Sequence, residues 1–397
     1  MTRPSLPAGL LGLLLAAWPL ASPAAPRFEA QVIDPDILTG YGLAIGDVDG
    51  DGDADVLLAD KRDFVWYENP EWTKNHFWSE AVGESRLKKK DNVCIAARDI
   101  NGDGKVEVAV GANWNPGETV SEEKSGSIWF LGSLGRIMPV RLPHEPTTHR
   151  MHWITASGGK PELVVLPLHG RGNRNGAGEN GVRVLSYRPP EDLTSSAWKT
   201  TLLSDDLHKT HNFDVFHRGK GGLDQVLIGG AEGTRLLVQD GQKWINATPV
   251  LPGMKEGVGE IRWGSPARNR LVPMIATIEP MHGDKVVTYT IPPGKQKWQR
   301  EVLDESLNQG HALAVADVLG TGRLQVIAGW RSPDKDQKVG IRLYSADDQG
   351  QWATYLIDDN TMACEDLKVA DLNGDGKLDI VACGRASKNV VIYWNKG

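Results

Sequence analysis

The sequence predicts an all-β fold: a single seven-bladed β-propeller closed by the N-terminal strand pairing with the last blade. The first observation behind this is a repeat. The segments LAIGDVDGDGDADVLLAD (43–60), IAARDINGDGKVEVAVGA (95–112) and LKVADLNGDGKLDIVACG (367–384) superimpose without a gap, and LAVADVLGTGRLQVIAGW (313–330) is a fourth copy that has lost its acids. Weaker copies at 150–167, 212–229 and 260–277 bring the number to seven. Their spacing of roughly 48 to 62 residues is that of propeller blades. The second observation is a series of outer strands, WKTTLLS (198–204), WQREVLD (298–304) and WATYLID (352–358), with looser relatives beginning at Phe77, Arg136 and Trp244. The third is where that series is incomplete. The last hairpin ends in VVIYWNKG without an outer strand, while FEAQVID (28–34) fits the missing one and, paired there, removes the open edges of the sheet.

The 397 residues carry 44 Lys+Arg against 51 Asp+Glu, a formal charge of -7, with 40% hydrophobic residues. This describes a globular chain and excludes a disordered one. The longest basic run is Lys88-Lys89-Lys90, which is no footprint for nucleic acid. Arg3, the apolar stretch Leu10–Leu20 and the small residues Ala21–Ala25 follow the plan of a cleavable secretory signal, too short to span a bilayer. The expected organisation is a signal peptide over 1–25 and a propeller over 26–397, secreted to the periplasm or beyond, with no membrane span. Three cysteines leave at least one thiol unpaired. Cys364 and Cys383 are the expected pair.

The Asp/Gly loops inside the best repeats carry the first chemistry. Blade one places Asp47, Asp49, Asp51 and Asp55 at positions 1, 3, 5 and 9, with glycines at 4 and 6. Blade two repeats this with Asp99, Asn101, Asp103 and Glu107, and blade seven with Asp371, Asn373, Asp375 and Asp379. Alternate oxygens on a tight turn, completed by the backbone carbonyl at position 7 (Asp53, Lys105, Lys377), suit a hard cation. Three structural Ca2+ sites are expected. Each loop runs into a strand, where an EF-hand would enter a helix. The motif resembles the FG-GAP/VCBS repeat family, whose calcium loops bridge two strands of a propeller blade.

Five of the ten histidines map to the opposite rim. His149, His211 and His311 stand at the starts of inner strands, and His169 and His282 where returning strands end. Glu365 and Asp366 in blade seven and Cys94 in blade two hold the matching starts, and Trp330-Arg331 and Arg385 follow returning strands. Imidazoles from separate blades meeting at the axial channel could hold Zn2+ or another divalent ion, with His149, His211 and His311 as its candidate ligands. His152 is assigned to the wall, and His76, His144, His208 and His217 to solvated loops.

The stretch from His144 to Arg183, with LHKTHNFDVF and GHALAVADV, is similar to the propeller of aldos-2-ulose dehydratases and their bacterial relatives, which dehydrate keto-sugars such as 1,5-anhydrofructose. The resemblance implies a metal-containing, His-rich pocket carrying an elimination, with His149, Arg150, His211, His282 and His311 as catalytic candidates. The chemistry suits these residue types. Water is eliminated beside a ketone by removing an α-proton, holding the enediolate and protonating the departing hydroxyl; His serves as acid or base, and Arg or a metal holds the oxyanion. The expected function is therefore a secreted, metal-dependent keto-sugar lyase. The alternative is a non-catalytic, calcium-stabilised propeller binding carbohydrate or protein on aromatics such as Trp114 and Trp330.

Overall fold

The computed structural model describes residues 25–77, 91–134, 139–174, 178–217, 222–241, 243–249, 251–264, 274–292 and 294–397. The expected signal peptide falls almost wholly outside them, as do Arg136 and Lys88 to Lys90. The described strands form seven four-stranded antiparallel sheets. Their inner strands are Gly40–Gly46, Cys94–Arg98, Thr148–Ala156, Thr210–Phe216, Ile261–Gly264, Gly310–Ala316 and Cys364–Ala370. Each touches its two neighbours, and the seventh touches the first, so the ring closes. Among the described residues the sole helical element is a 3-10 turn at Ser157–Gly159, and no helix is long and apolar enough to cross a membrane.

Strand alternation explains how the blades cohere. Successive side chains point to opposite faces of a sheet. In blade one, Leu43 packs against blade seven with Val381 and Ile392, while its neighbour Ala44 packs against blade two with Ile95 and Val108. Seven such clusters occupy the seven interfaces between blades. Truncating one of their fully buried members, Leu57→Ala for instance, costs about 2–5 kcal/mol.

The seam lies where the incomplete outer series placed it. Phe28–Asp34 pairs antiparallel with Val390–Asn395, from Phe28↔Asn395 to Asp34↔Val390. A side-chain bolt then repeats across it. Tyr344 donates to Asp304 Oδ2 of the preceding blade at 2.7 Å, and Tyr393 to Asp358 Oδ2 at 2.9 Å. Tyr67 makes the same bond to Asp34 Oδ2 at 2.6 Å, so the N-terminal strand acts as an ordinary outer strand. Lys74 adds an ion pair at 2.8 Å. Burial tends to raise the pKa of Asp34, but the bonds from Lys74 and Tyr67 outweigh it and hold the carboxyl below its usual value.

The Asp/Gly loops fold as compact turns. Asp47 accepts from the amides of Gly50 and Gly52 (2.6 and 2.9 Å), Asp99 from Gly102 and Gly104 (2.6 and 3.0 Å), and Asp371 from Gly374 and Gly376 (2.8 and 2.9 Å). Gly50 and Gly52 lie at φ +86° and +98°, which a side chain would strain. The position-9 acid ties loop to sheet: Asp55 accepts from Val48 and Asn69, and Asp379 from Leu372 and Asn395. Asn69 and Asn395 in turn donate to Leu372 and Val318 in the loops of the preceding blades. Ligand atoms of Asp47, Asp49 and Asp55 lie within 4.8 Å of one another. Burial, opposed by its two amide bonds, raises Asp55 to about 7. Crowded carboxylates of this kind fit a cation.

Three expectations are corrected. Cys94, Cys364 and Cys383 are all buried free thiols. The sulfurs of Cys364 and Cys383 share the Asp366 carbonyl at 3.7 Å each, without a bond between them. Trp330 is buried, with its indole donating to the Lys338 carbonyl and Arg342 over its ring, so it offers no docking surface. His144 is likewise buried, with Nε2 on the Glu122 carbonyl, rather than solvated.

Candidate functional site

At the rim opposite the Asp/Gly loops a cavity of about 440 Å3 opens on the axis of the ring, lined from all seven blades. Its geometry begins in the backbone. In five blades the pairing of inner and second strand slips once at the rim: between Gly40 and Gly42, Thr148 and Arg150, Thr210 and Asn212, Gly310 and Ala312, and Cys364 and Asp366. A β-bulge leaves one residue unpaired and re-aims its side chain. The residues so released are Tyr41, His149, His211, His311 and Glu365, and all five line the cavity.

Neighbouring bulges hold one another. His149 Nδ1 lies 2.7 Å from the His211 carbonyl, His211 Nδ1 3.3 Å from that of Gly259, and His311 Nδ1 2.7 Å from that of Glu365. A carbonyl only accepts, so each Nδ1 carries the proton and each Nε2 the lone pair. In blade five the equivalent residue is Gly259, and the space goes to His282 from the end of the second strand. A Cβ on Gly259 would meet the His282 nitrogen at 3.0 Å. His282 itself adopts φ +53°, an uncommon conformation for a residue other than glycine.

The result is a cluster of imidazoles. Ring centroids of His211 and His282 are 4.4 Å apart, of His211 and His311 5.0 Å, and of His282 and His311 4.9 Å. One nitrogen from each of the three lies within 4.8 Å of the others. His149 flanks the trio 4.9 Å from His211 and stacks on Trp114 at 4.9 Å. Burial, with the charge of Arg150 and, for His282 and His311, of Arg331, pushes His149 and His311 well below their usual pKa and His282 to about 2. Burial also lowers His211, with Glu260 opposing. All four are neutral at pH 7, as metal ligands or bases must be.

The surrounding charges are asymmetric. Glu365 is clamped by Arg331 Nη1 at 2.9 and 2.8 Å and by Arg385 Nη1 at 3.0 Å. Arg331 also donates from Nε and Nη2 to Gln309 Oε1, and the Arg385 guanidinium lies over Tyr41. Arg150 also lines the cavity, as do Lys209 and His169. Burial lowers His169 to about 4. Behind His211, buried Glu260 places Oε1 3.1 Å from Nδ1 and takes bonds from Asn212 and Arg262 on its other oxygen. Burial disfavours its charge, but His211 and Arg262 outweigh that and hold the carboxyl ionised.

Every rim residue singled out in the sequence reaches the cavity except Asp366, which pairs with Lys368 below it, Trp330 and Cys94. In blade two the inner and second strands pair without a slip, Cys94 with Gly111, and it is Val93 that lines the mouth. His152 sits in the wall with its ring edge-on to Phe213. Tyr41, Lys209 and Glu260 carried no sequence signal. Glu260 had the same position in its repeat as the residue after a bulge, but blade five is too degenerate to show it.

Two family models match the chain: an FG-GAP-like repeat over residues 47–110 and the β-propeller domain of aldos-2-ulose dehydratase over 135–292. The second match encloses His149, Arg150, His211 and His282 and stops before His311. No curated protein sequence matches. Among solved structures, the extracellular domain of BT4673 from B. thetaiotaomicron has a TM-score of 0.51 at 10% identity, covering 92% of this chain and 39% of that one. This chain thus spans about two fifths of that protein's length. BBS1N, solved in complex with ARL6DN, gives 0.54 at 12% identity over 94% and 96% of the two chains. The Myceliophteria thermophila Cps50 (Swd1) propeller gives 0.51 at 12% over 93% and 100%. Identities this low carry the fold alone.

Proposed function

We propose that the protein is a secreted, metal-dependent lyase that eliminates water from a keto-sugar. The observation that carries the reading is the convergence of four neutral imidazoles from four blades on one cationic cavity, three of them (His149, His211 and His282) within the region that matches the dehydratase propeller. His211, His282 and His311 would hold a divalent ion such as Zn2+, which when bound would polarise the ketone oxygen and stabilise negative charge on it. The donor set fits: two of the three present an unprotonated Nε2 by virtue of their Nδ1 bonds, and imidazole suits such metals.

His149 is the base. Its Nδ1 is occupied by the His211 carbonyl, so Nε2 takes the proton from the carbon beside the ketone. The C–H electrons form the C=C bond of the enediolate as the C=O π pair moves onto the ketone oxygen. When that C=O re-forms, the pair shifts into a new Cα=Cβ bond and the β C–O bond breaks, its electrons leaving with the hydroxyl. The departing hydroxyl leaves as water with the proton returned from His149. Arg150, whose Nη1 is braced on the His149 carbonyl at 3.0 Å, anchors a substrate oxygen. The Asp/Gly loops take up Ca2+ and serve the fold alone.

The test is incubation of the purified protein with 1,5-anhydrofructose, following the absorbance of the conjugated enone and the loss of one water by mass spectrometry. Elemental analysis runs in parallel. His149→Ala is expected to lower turnover by about 10^2-fold or more with the metal retained; His211→Ala/His282→Ala is expected to lose the metal. Wild-type protein with neither transition metal nor product would leave a binding propeller instead.

A further inference from the structure

We infer that the sugar accepted at this mouth is anionic. The inference rests on the proposed reading only in taking the mouth as the ligand site. Four cationic side chains, Arg150, Lys209, Arg331 and Arg385, line the cavity against one carboxylate, Glu365, which leaves an excess of three positive charges in a chain whose formal charge is -7. The neighbouring acids do not correct this. Asp91 is engaged by Lys61 at 3.6 Å and by the Tyr41 hydroxyl at 2.8 Å, and Asp366 and Glu260 are matched by Lys368 and Arg262.

Two of the three excess charges sit on residues that no carboxylate holds among the described residues. Glu365 consumes Arg331 and one arm of Arg385. By contrast, among the described residues Arg150 donates to the carbonyl of the preceding residue and neither it nor the Lys209 ammonium has an ion-pair partner. Both are half-buried and both adjoin the histidine cluster in sequence, Arg150 beside His149 and Lys209 two residues before His211. Uncompensated charge facing a partly dry cavity is unfavourable until an anion arrives, and clefts of one sign concentrate ligands of the other. A guanidinium fork and a flexible ammonium lining one cavity suit a carboxylate or a phosphate ester. A cavity of about 440 Å3 leaves room for the sugar that carries it. A sugar whose acidic group lies on Arg150 and Lys209 would present its ring to the imidazoles.

The experiment is calorimetric titration of the full-length protein with D-glucuronate, glucose 6-phosphate, glucose and inorganic phosphate, at low and at physiological salt. At least one anionic sugar is expected to bind tenfold or more tightly than glucose, to weaken with salt, and to lose tenfold or more in Lys209→Gln. Lys199→Gln, on an exposed outer strand, serves as control and is expected to change nothing. The preferred acid separates a carboxylate ligand from a phosphate one. Should Lys209→Gln prove unstable, the salt dependence of the wild type alone decides. Glucose binding as well as its acids would overturn the inference, as would inorganic phosphate binding as tightly as the phosphorylated sugar. Elimination from neutral anhydrofructose that neither glucuronate nor glucose 6-phosphate inhibits would overturn it while sparing the lyase. Anion binding without metal or elimination would support it and remove the lyase.

Discussion

On one rim of the ring, the loops at 47–55, 99–107 and 371–379 are each made from consecutive residues, and every one repeats the same amide-to-carboxylate turn. On the other, the blades contribute from one to four lining residues each, drawn from separate strands and differing in mixture from blade to blade. Blade six links the two plans. Its loop has lost the later acids, yet Asp317 still accepts from Thr321 and Gly322 at 2.9 and 2.6 Å. The turn therefore stands on the first carboxylate and the amides it accepts from, and the later acids are an addition to it. At the mouth the backbone device is also shared, a bulge in five blades, but it displays Tyr41, His149, His211, His311 and Glu365. Repetition serves stability here, and divergence at a repeated position builds the site.

If the rims are as separate as this, calcium removal should be felt on one of them. Chelation is expected to lower the melting temperature by upwards of about 10 °C, since each saturated site is worth about 2.7 kcal/mol at a hundredfold excess over Kd. Metal retained at the mouth after treatment with a calcium-selective chelator would sharpen the contrast; its loss would break it. Next in size is Glu260→Gln, which keeps the shape behind His211 but removes the charge. A 10–100-fold loss of transition-metal affinity is expected, measured by competition with a chromogenic chelator, with calcium content unchanged. Gly259→Ala should displace His282 and cut that affinity about tenfold, while overpacking costs about 1–3 kcal/mol of stability. Asp371→Asn removes one loop charge in one blade and should cost only a few degrees by calorimetry. Smallest is an acid effect at the seam. The pKa of Asp34 is depressed in the fold, so its contribution is full above the unfolded value of about 3.9 and fades as pH falls through the folded one. Asp34→Asn should flatten that limb of the stability profile.

Legibility followed the same divide. The Asp/Gly loops could be read because all their donors lie within one short run, and the seam because an outer strand absent at one terminus had a match at the other. The rim reached by each histidine was readable from strand order alone. Which residue faces the axis was not, since that depends on a slip of pairing that no residue type announces. The gapless repeat places Arg150 and Asn212 level with Leu43, whereas the pairing sets Met151 and Phe213 there, one residue later. Trp330 looked available because it ends a strand at the rim, but its ring lies back into the interface between blades five and six. Glu260 was invisible because its role depends on a neighbour from another blade.

The ladder between Phe28–Asp34 and Val390–Asn395 sets an order on synthesis. A nascent chain emerging N-terminus first must hold its earliest strand unmatched until its latest has been made, and the mouth, which draws on blades at both extremes, cannot assemble before then. During that interval Val390–Asn395 of one molecule could accept the early strand of another. Exchange of that strand between two copies is the misassembly this architecture invites.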